Sequence, residues 1–189
     1  MRARAKTTEA TRVRILDAAE TTIEELPFDE ITLAAVAARA DVSVQTVLRH
    51  FETRDKLLTA SLLHAGSKIP PERQTVPVGD LEEIVNVLAR HYEQFGDRIL
   101  RLLAQEDREP TARQLTDLGR AFHLEWCNQA FAPVLEGLRG AARERRVAQF
   151  VATTDIYVWK LLRYDQGLSR RQTKLALREL LEPLTKVPD

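Results

Sequence analysis

The chain has 189 residues, 28 basic and 28 acidic, so its formal net charge is zero and bulk charge gives no reason to expect a polyanionic partner. An ordinary apolar fraction with only seven glycines and eight prolines excludes a disordered or fibrous chain. One cysteine, Cys127, excludes an internal disulfide and a cysteine-rich zinc site, and no apolar run approaches the ~20 residues that span a bilayer.

Charge distribution says more than its sum. Arg2, Arg4, Lys6, Arg12 and Arg14 face only Glu9 before the first helix turns acidic at Asp17, Glu20, Glu24 and Glu25. A basic arm on a neutral chain is suited to phosphates, and a solvated, frayed terminus would read the same way. The first helix is predicted over residues 11–26, with Ile15, Ala18, Ala19, Thr22, Ile23 and Leu26 on one face and Pro27 ending it. Thr32 is an N-cap for a second helix over 33–39, with Leu33, Val36 and Ala37 inward. Ser43 caps a third, ending near Phe51, and Thr53 a fourth, running to His64 with Asp55 in its first turn.

The segment SKIPPERQTVPVGD, 67–80, carries prolines and no apolar period, and reads as a linker between bodies 1–66 and 81–189. Beyond it, helices are predicted over 81–95, 97–107, 111–138 with Pro133 kinking or ending it, and 143–165 closed by Gly167. Ser169 and Gln172 form a capping box for a last helix to Leu184, though Arg170 and Arg171 oppose its dipole.

Two helices joined at Ala40-Asp41-Val42 make a helix-turn-helix, whose second helix can enter a DNA major groove. The turn needs a positive φ, which glycine adopts freely and aspartate tolerates. With Val42, Val47 and Phe51 inward, Val44, Gln45, Leu48 and Arg49 face outward. Gln45 suits an adenine edge, Arg49 a guanine or a phosphate, and Val44 or Leu48 a thymine methyl. Thr46 and His50 lie at the rim, where donors find phosphates. A short amphipathic helix with these residues outside is also common in plain bundles.

Residues 12–58 resemble the N-terminal domain of TetR family transcriptional regulators. The resemblance rests on Ile15-Leu16, Ala18-Ala19, Phe28, Thr32, Val36-Ala37, the pattern A-x-V-S-x-x-T-V-x-R-H-F from Ala40 to Phe51, and Leu57. It implies an all-α protein with an N-terminal three-helix helix-turn-helix domain and a larger C-terminal domain for ligand sensing and dimerisation. The DNA-contacting set would be Thr32, Ser43, Val44, Gln45, Thr46, Leu48, Arg49, His50 and Arg54, with Arg4 and Lys6 on the arm. Departures are Pro27, Asp41 and Gln45 where the family usually has glycine, and Leu48 where it has a phosphate-touching tyrosine. Arg54 replaces a lysine and keeps its charge. The helix over 53–64 would act as the lever between the domains.

For the second body the resemblance implies a twofold dimer built on the last two helices. Leu177, Leu180, Leu181 and Leu184 form an apolar strip suited to a partner, and equally to an intrachain core. Tyr92, Phe95, Phe122, Trp126, Phe131 and Trp159 supply aromatics for an effector pocket, of which Asp155, Trp159, Trp126, Tyr92 and Phe122 are the candidate lining. Asp155, read inside a continuous helix, has Val151, Ala152, Val158, Trp159 and Leu162 around it. It would pair with a buried Arg or His, or meet a polar effector group.

The function expected is a homodimeric cytoplasmic repressor, released from a palindromic operator by a small organic effector, with no cofactor, no metal and no membrane contact. Alternatives are an adaptor lacking ligand response or sequence-specific DNA binding, and a redox sensor at Cys127, where an inert buried thiol is the plainer reading. An enzyme is disfavoured, because His123 and Cys127 share one helix face and lack an orienting third group.

Overall fold

The computed structural model describes residues 2–27, 30–67 and 76–186. Phe28 and positions 68–75 of the expected linker lie outside them. Among the described residues there is no strand, and no helix is long and apolar enough to cross a membrane. The chain forms two compact units, Met1–Ile69 with Arg101–Thr116, and Pro70–Leu100 with Asp117–Asp189. Residues 101–116 group with the first unit.

In the first unit α1 (Arg2–Glu25), α2 (Leu33–Arg39), α3 (Val44–Phe51) and α4 (Arg54–Ser67) surround one core. Helix α1 starts well before residue 11, so the basic arm is helical rather than extended. Ile15, Leu16, Ala19 and Ile23 from α1 are buried with Val36 and Ala37 from α2, Val47 and Phe51 from α3, and Leu57 and Leu58 from α4, while Leu102 packs against them. Thr22, buried on α1, donates its hydroxyl to the Ala18 carbonyl at 2.7 Å. The expected caps are in place: Thr32, Ser43 and Thr53 accept from the backbone N–H of Ala35, Thr46 and Lys56 at 3.1, 3.1 and 3.2 Å.

The second unit holds most of α5 (Leu81–Leu103) and α6 (Pro110–Ala130), then α7 (Ala132–Leu135), α8 (Gly140–Thr153), α9 (Ile156–Lys160), a π-helical turn (Leu161–Asp165) and α10 (Arg170–Thr185). Three expectations are corrected here. The helices expected over 81–95 and 97–107 are one, α5, which carries Gly96 buried in its interior and ends at Leu103. The helix expected over 111–138 stops at Ala130, and Pro133 lies in the first turn of α7, where its missing N–H costs nothing. The helix expected over 143–165 breaks after Thr153. Thr154 turns its hydroxyl back onto the Phe150 carbonyl at 2.7 Å, and Asp155 caps α9, two side-chain bonds that compete with a continuous helix. At the far end Ser169 caps α10 as expected, accepting from Gln172 N at 3.3 Å.

The leucine strip of α10 divides. Leu177 and Leu181 are buried within the chain, where α10 packs on α8 and the π-helical turn, so they are core residues and not a free surface. Leu184 is half-buried, and Leu180 stands exposed.

Asp41 lies at φ 51°, a conformation that L-residues pay to adopt. Asp41→Gly should therefore stabilise the first unit by about 0.5–1 kcal/mol. Asp41→Val should destabilise it by more, because a β-branched side chain fits that φ worst. Thermal melts followed by circular dichroism check the ranking Gly above Asp above Val.

Candidate functional sites

The turn after α2 closes as a Schellman motif. Val42 N donates to Ala37 O at 3.0 Å and Asp41 N to Ala38 O at 3.3 Å, with Asp41 as the left-handed residue between them. Val42 packs against the core beyond the turn, which fixes the angle at which α3 departs. Burying Val47 and Phe51 then turns the opposite side of α3 to solvent.

On that side Val44, Gln45 and Arg49 are exposed, and Thr46, Leu48 and His50 are half-buried. Gln45 and Arg49, one turn apart, make no hydrogen bond or ion pair among the described residues. Three hydroxyls are partly spent. Ser43 and Thr46 oxygens lie 3.0 Å apart, and Thr32 and Ser43 both accept from helix N–H groups. Each hydroxyl used as a cap still has a proton to donate.

Arg54 is held more tightly than its sequence role implies. Its Nε donates to Ile31 O at 2.7 Å, and Nη1 lies 3.4 Å from Asp55 and 3.7 Å from Glu109. It ties the start of α4 to the segment before α2, so only part of its charge faces outward. The backbone of Arg4 and Lys6 is on α1, and their side chains lie outside the description. Arg12, also from the basic stretch, places its guanidinium 5.5 Å from the Phe51 ring centroid and so braces α3 against α1.

The effector candidates of the second unit separate into two groups. Tyr92, Trp126 and Trp159 are buried, with the Tyr92 and Trp159 rings 6.0 Å apart. Phe122, one turn before Trp126 on α6, is exposed. Asp155 is the N-cap of α9, outside the continuous helix expected over 143–165. Its carboxylate accepts from Tyr157 N at 2.8 Å as the cap of α9. Burial raises its pKa, opposed by that backbone N–H and by the charge of Arg120.

Thr154 is the residue that sequence reasoning missed. Its carbonyl accepts from Tyr92 OH at 2.8 Å, and its Oγ1 lies 3.0 Å from His123 Nε2 and 3.4 Å from Cys127 Sγ. His123 stacks on Trp126 at 6.2 Å and stands 3.7 Å from Cys127 Sγ. A Thr-Asp pair, one hydroxyl beside one strong cap former, was the available signal for a break. Thr154 gives Cys127 a second polar neighbour beside His123, and the thiol is buried. A separate open groove of about 530 Å³ is lined by Asn128, Ala132, Leu135, Glu136, Arg139 and Arg143, none of them an effector candidate.

Residues 15–60 match the family model of bacterial regulatory proteins, tetR family. No curated protein matches the chain. Among solved structures, GusR of Salmonella enterica is 20% identical over 93% of this chain and 95% of its own, with a TM-score of 0.71. A transcriptional regulator from Rhodococcus sp. Rha1 is 20% identical over 94% and 99%, with a TM-score of 0.67. The multidrug binding protein EbrR, complexed with imidazole, is 24% identical over 94% and 90%, with a TM-score of 0.62. At these identities the likeness is one of fold. Residues 15–60 thus match the model of the bacterial regulatory proteins, tetR family, and the chain as a whole shares its fold with solved regulators of the TetR type.

Proposed function

We propose that the protein is a homodimeric repressor that binds a near-palindromic operator through α3 and leaves it when a small organic effector enters the second unit. The observation that carries the DNA half is the outward face of α3. Gln45 and Arg49 stand there exposed and without partners among the described residues, on a helix whose angle is set by the Asp41 turn. Glutamine offers an acceptor and a donor pair for an adenine edge, and arginine two donors for guanine. Leu48, half-buried beside them, supplies apolar contact in place of a phosphate-seeking hydroxyl.

Gln45→Ala should cost about 1–3 kcal/mol at one base position of each half-site and relax preference there. Deleting residues 1–6 should instead weaken binding to all sequences and flatten its salt dependence. Fluorescence-free competition gel shifts over a salt series separate the two. An unchanged salt slope would make the basic stretch of α1 a structural extension only.

The dimer reading rests on apolar side chains left exposed: Tyr157 on α9, Leu161 and Tyr164 on the π-helical turn, and Leu175 and Leu180 on α10. Soluble monomers leave few such residues together. Leu180→Arg with Leu161→Glu should give a monomer by light scattering at micromolar concentration, with helicity retained. The same substitutions at Leu177 and Leu181 should unfold the second unit instead.

The effector reading is supported by Trp159, whose indole N–H is fully buried and makes no hydrogen bond among the described residues. Such a donor costs about 1–3 kcal/mol until an acceptor arrives. An aromatic or apolar effector with a carbonyl or ether oxygen would supply one beside Tyr92. A ~100-fold preference of that effector for the released state is worth about 2.7 kcal/mol, enough to move α4 as a lever. Asp155 needs two variants. Asn caps a helix as well as Asp, so Asp155→Asn should leave stability within about 0.5 kcal/mol, whereas Asp155→Ala should lose about 1 kcal/mol. If a compound that abolishes the gel shift acts unchanged on Asp155→Asn and on Trp159→Phe, its pocket lies elsewhere.

A further inference from the structure

Outside both of these sites, α1 and α4 bring three ligand-type side chains together. Asp17 and Glu20 stand three residues apart on α1, which puts both carboxylates on one face, and His64 meets them from α4. One ligand atom from each lies within 4.8 Å of the other two, and His64 Nε2 is 3.2 Å from Asp17 Oδ1. We propose that Asp17, Glu20 and His64 form a binding site for a divalent first-row transition metal, zinc(II) foremost, that ties the end of α4 to α1.

Donor chemistry selects the ion. One imidazole with two carboxylates suits zinc, manganese or iron, whereas magnesium and calcium take oxygen donors alone and copper(I) prefers thiolates. Metal–ligand bonds of about 2.0–2.2 Å in a tetrahedron separate neighbouring donors by roughly 3.3 Å. The His64–Asp17 pair already has that bite. Glu20 is half-buried and carries a flexible side chain, so bond rotation brings its carboxylate in without moving the backbone.

The frame beneath is rigid. Leu16 and Ala19, next to the two acids in sequence, are buried in the α1–α4 contact, as are Ser61 and Ala65 beside His64. The Ser61 hydroxyl reaches the Leu16 carbonyl at 3.4 Å. Ligand Cα positions are therefore held in place before any ion arrives. The plain alternative is an ion pair between His64 and Asp17 that needs no metal. A first-row cation would hold all three side chains at once. The site itself uses neither α3 nor the second unit.

The test uses tag-free full-length protein, stripped with a chelator and titrated with zinc(II) by calorimetry and with cobalt(II) by visible absorption. The expected result is one ion per chain, visible cobalt d–d bands, and a melting temperature that rises with zinc. His64→Ala and Asp17→Asn should each weaken uptake at least tenfold, while Glu144→Gln, an exposed acid elsewhere, should leave it unchanged. Asp17→Asn keeps the fold's packing and so stands in should His64→Ala destabilise the helix. No stoichiometric uptake by the wild type, or equal uptake by Asp17→Asn and wild type, would overturn the proposal.

Discussion

The seating of Val47 and Phe51 in the core of the first unit decides where Gln45 and Arg49 point. Both depend on the same rotation of α3 about its axis, and that rotation is locked from two directions. From before, the Schellman turn at Asp41 sets the exit from α2 and buries part of Val42. From the side, Arg12 lies over the Phe51 ring, so α1 resists any roll of α3. Arg54 adds a third restraint by holding the start of α4 to the Ile31 carbonyl and to Glu109. An eight-residue helix could not hold itself in this orientation, since isolated helices this short are not stable in water. Its precision is borrowed from its neighbours.

In the second unit the corresponding organising point is polar. Thr154 interrupts what would be one long helix and receives Tyr92 from α5 while its hydroxyl approaches His123 and Cys127 on α6. Asp155 then restarts the chain as α9. The break lets Trp159 turn inward beside Tyr92, whereas Tyr157, Leu161 and Tyr164 remain outside. Buried polar groups are costly unless bonded, so this node constrains three helices at once.

The first unit was largely legible because its signals are local. Caps at Thr32, Ser43 and Thr53 and the apolar spacing of α1 and α3 each occupy a few consecutive residues, and local hydrogen bonding decides them. The second unit was misread wherever a long-range contact overrode a local rule. Gly96 looked like a break and lies instead inside α5, buried in the second unit. Thr154 looked like one more helical residue, and its importance lies in Tyr92 and His123, which periodicity cannot bring together. Leu177 and Leu180 looked alike, and only the packing of α8 and the π-helical turn against α10 tells them apart. On the DNA side the residue types of α3 could be read directly, but not that Arg54 spends its guanidinium on the protein itself.

The chain's two tryptophans, Trp126 and Trp159, and its three tyrosines, Tyr92, Tyr157 and Tyr164, all belong to the second unit. The first unit has neither residue type and is invisible in intrinsic emission and nearly so in the near ultraviolet. Far-ultraviolet dichroism, by contrast, counts helices in both. A single sample followed at the two wavelengths therefore carries a built-in label for one half of the molecule. Coincident melting curves would mean that the units unfold as one cooperative body, and separated curves would name the unit that goes first without any dye, tag or truncation.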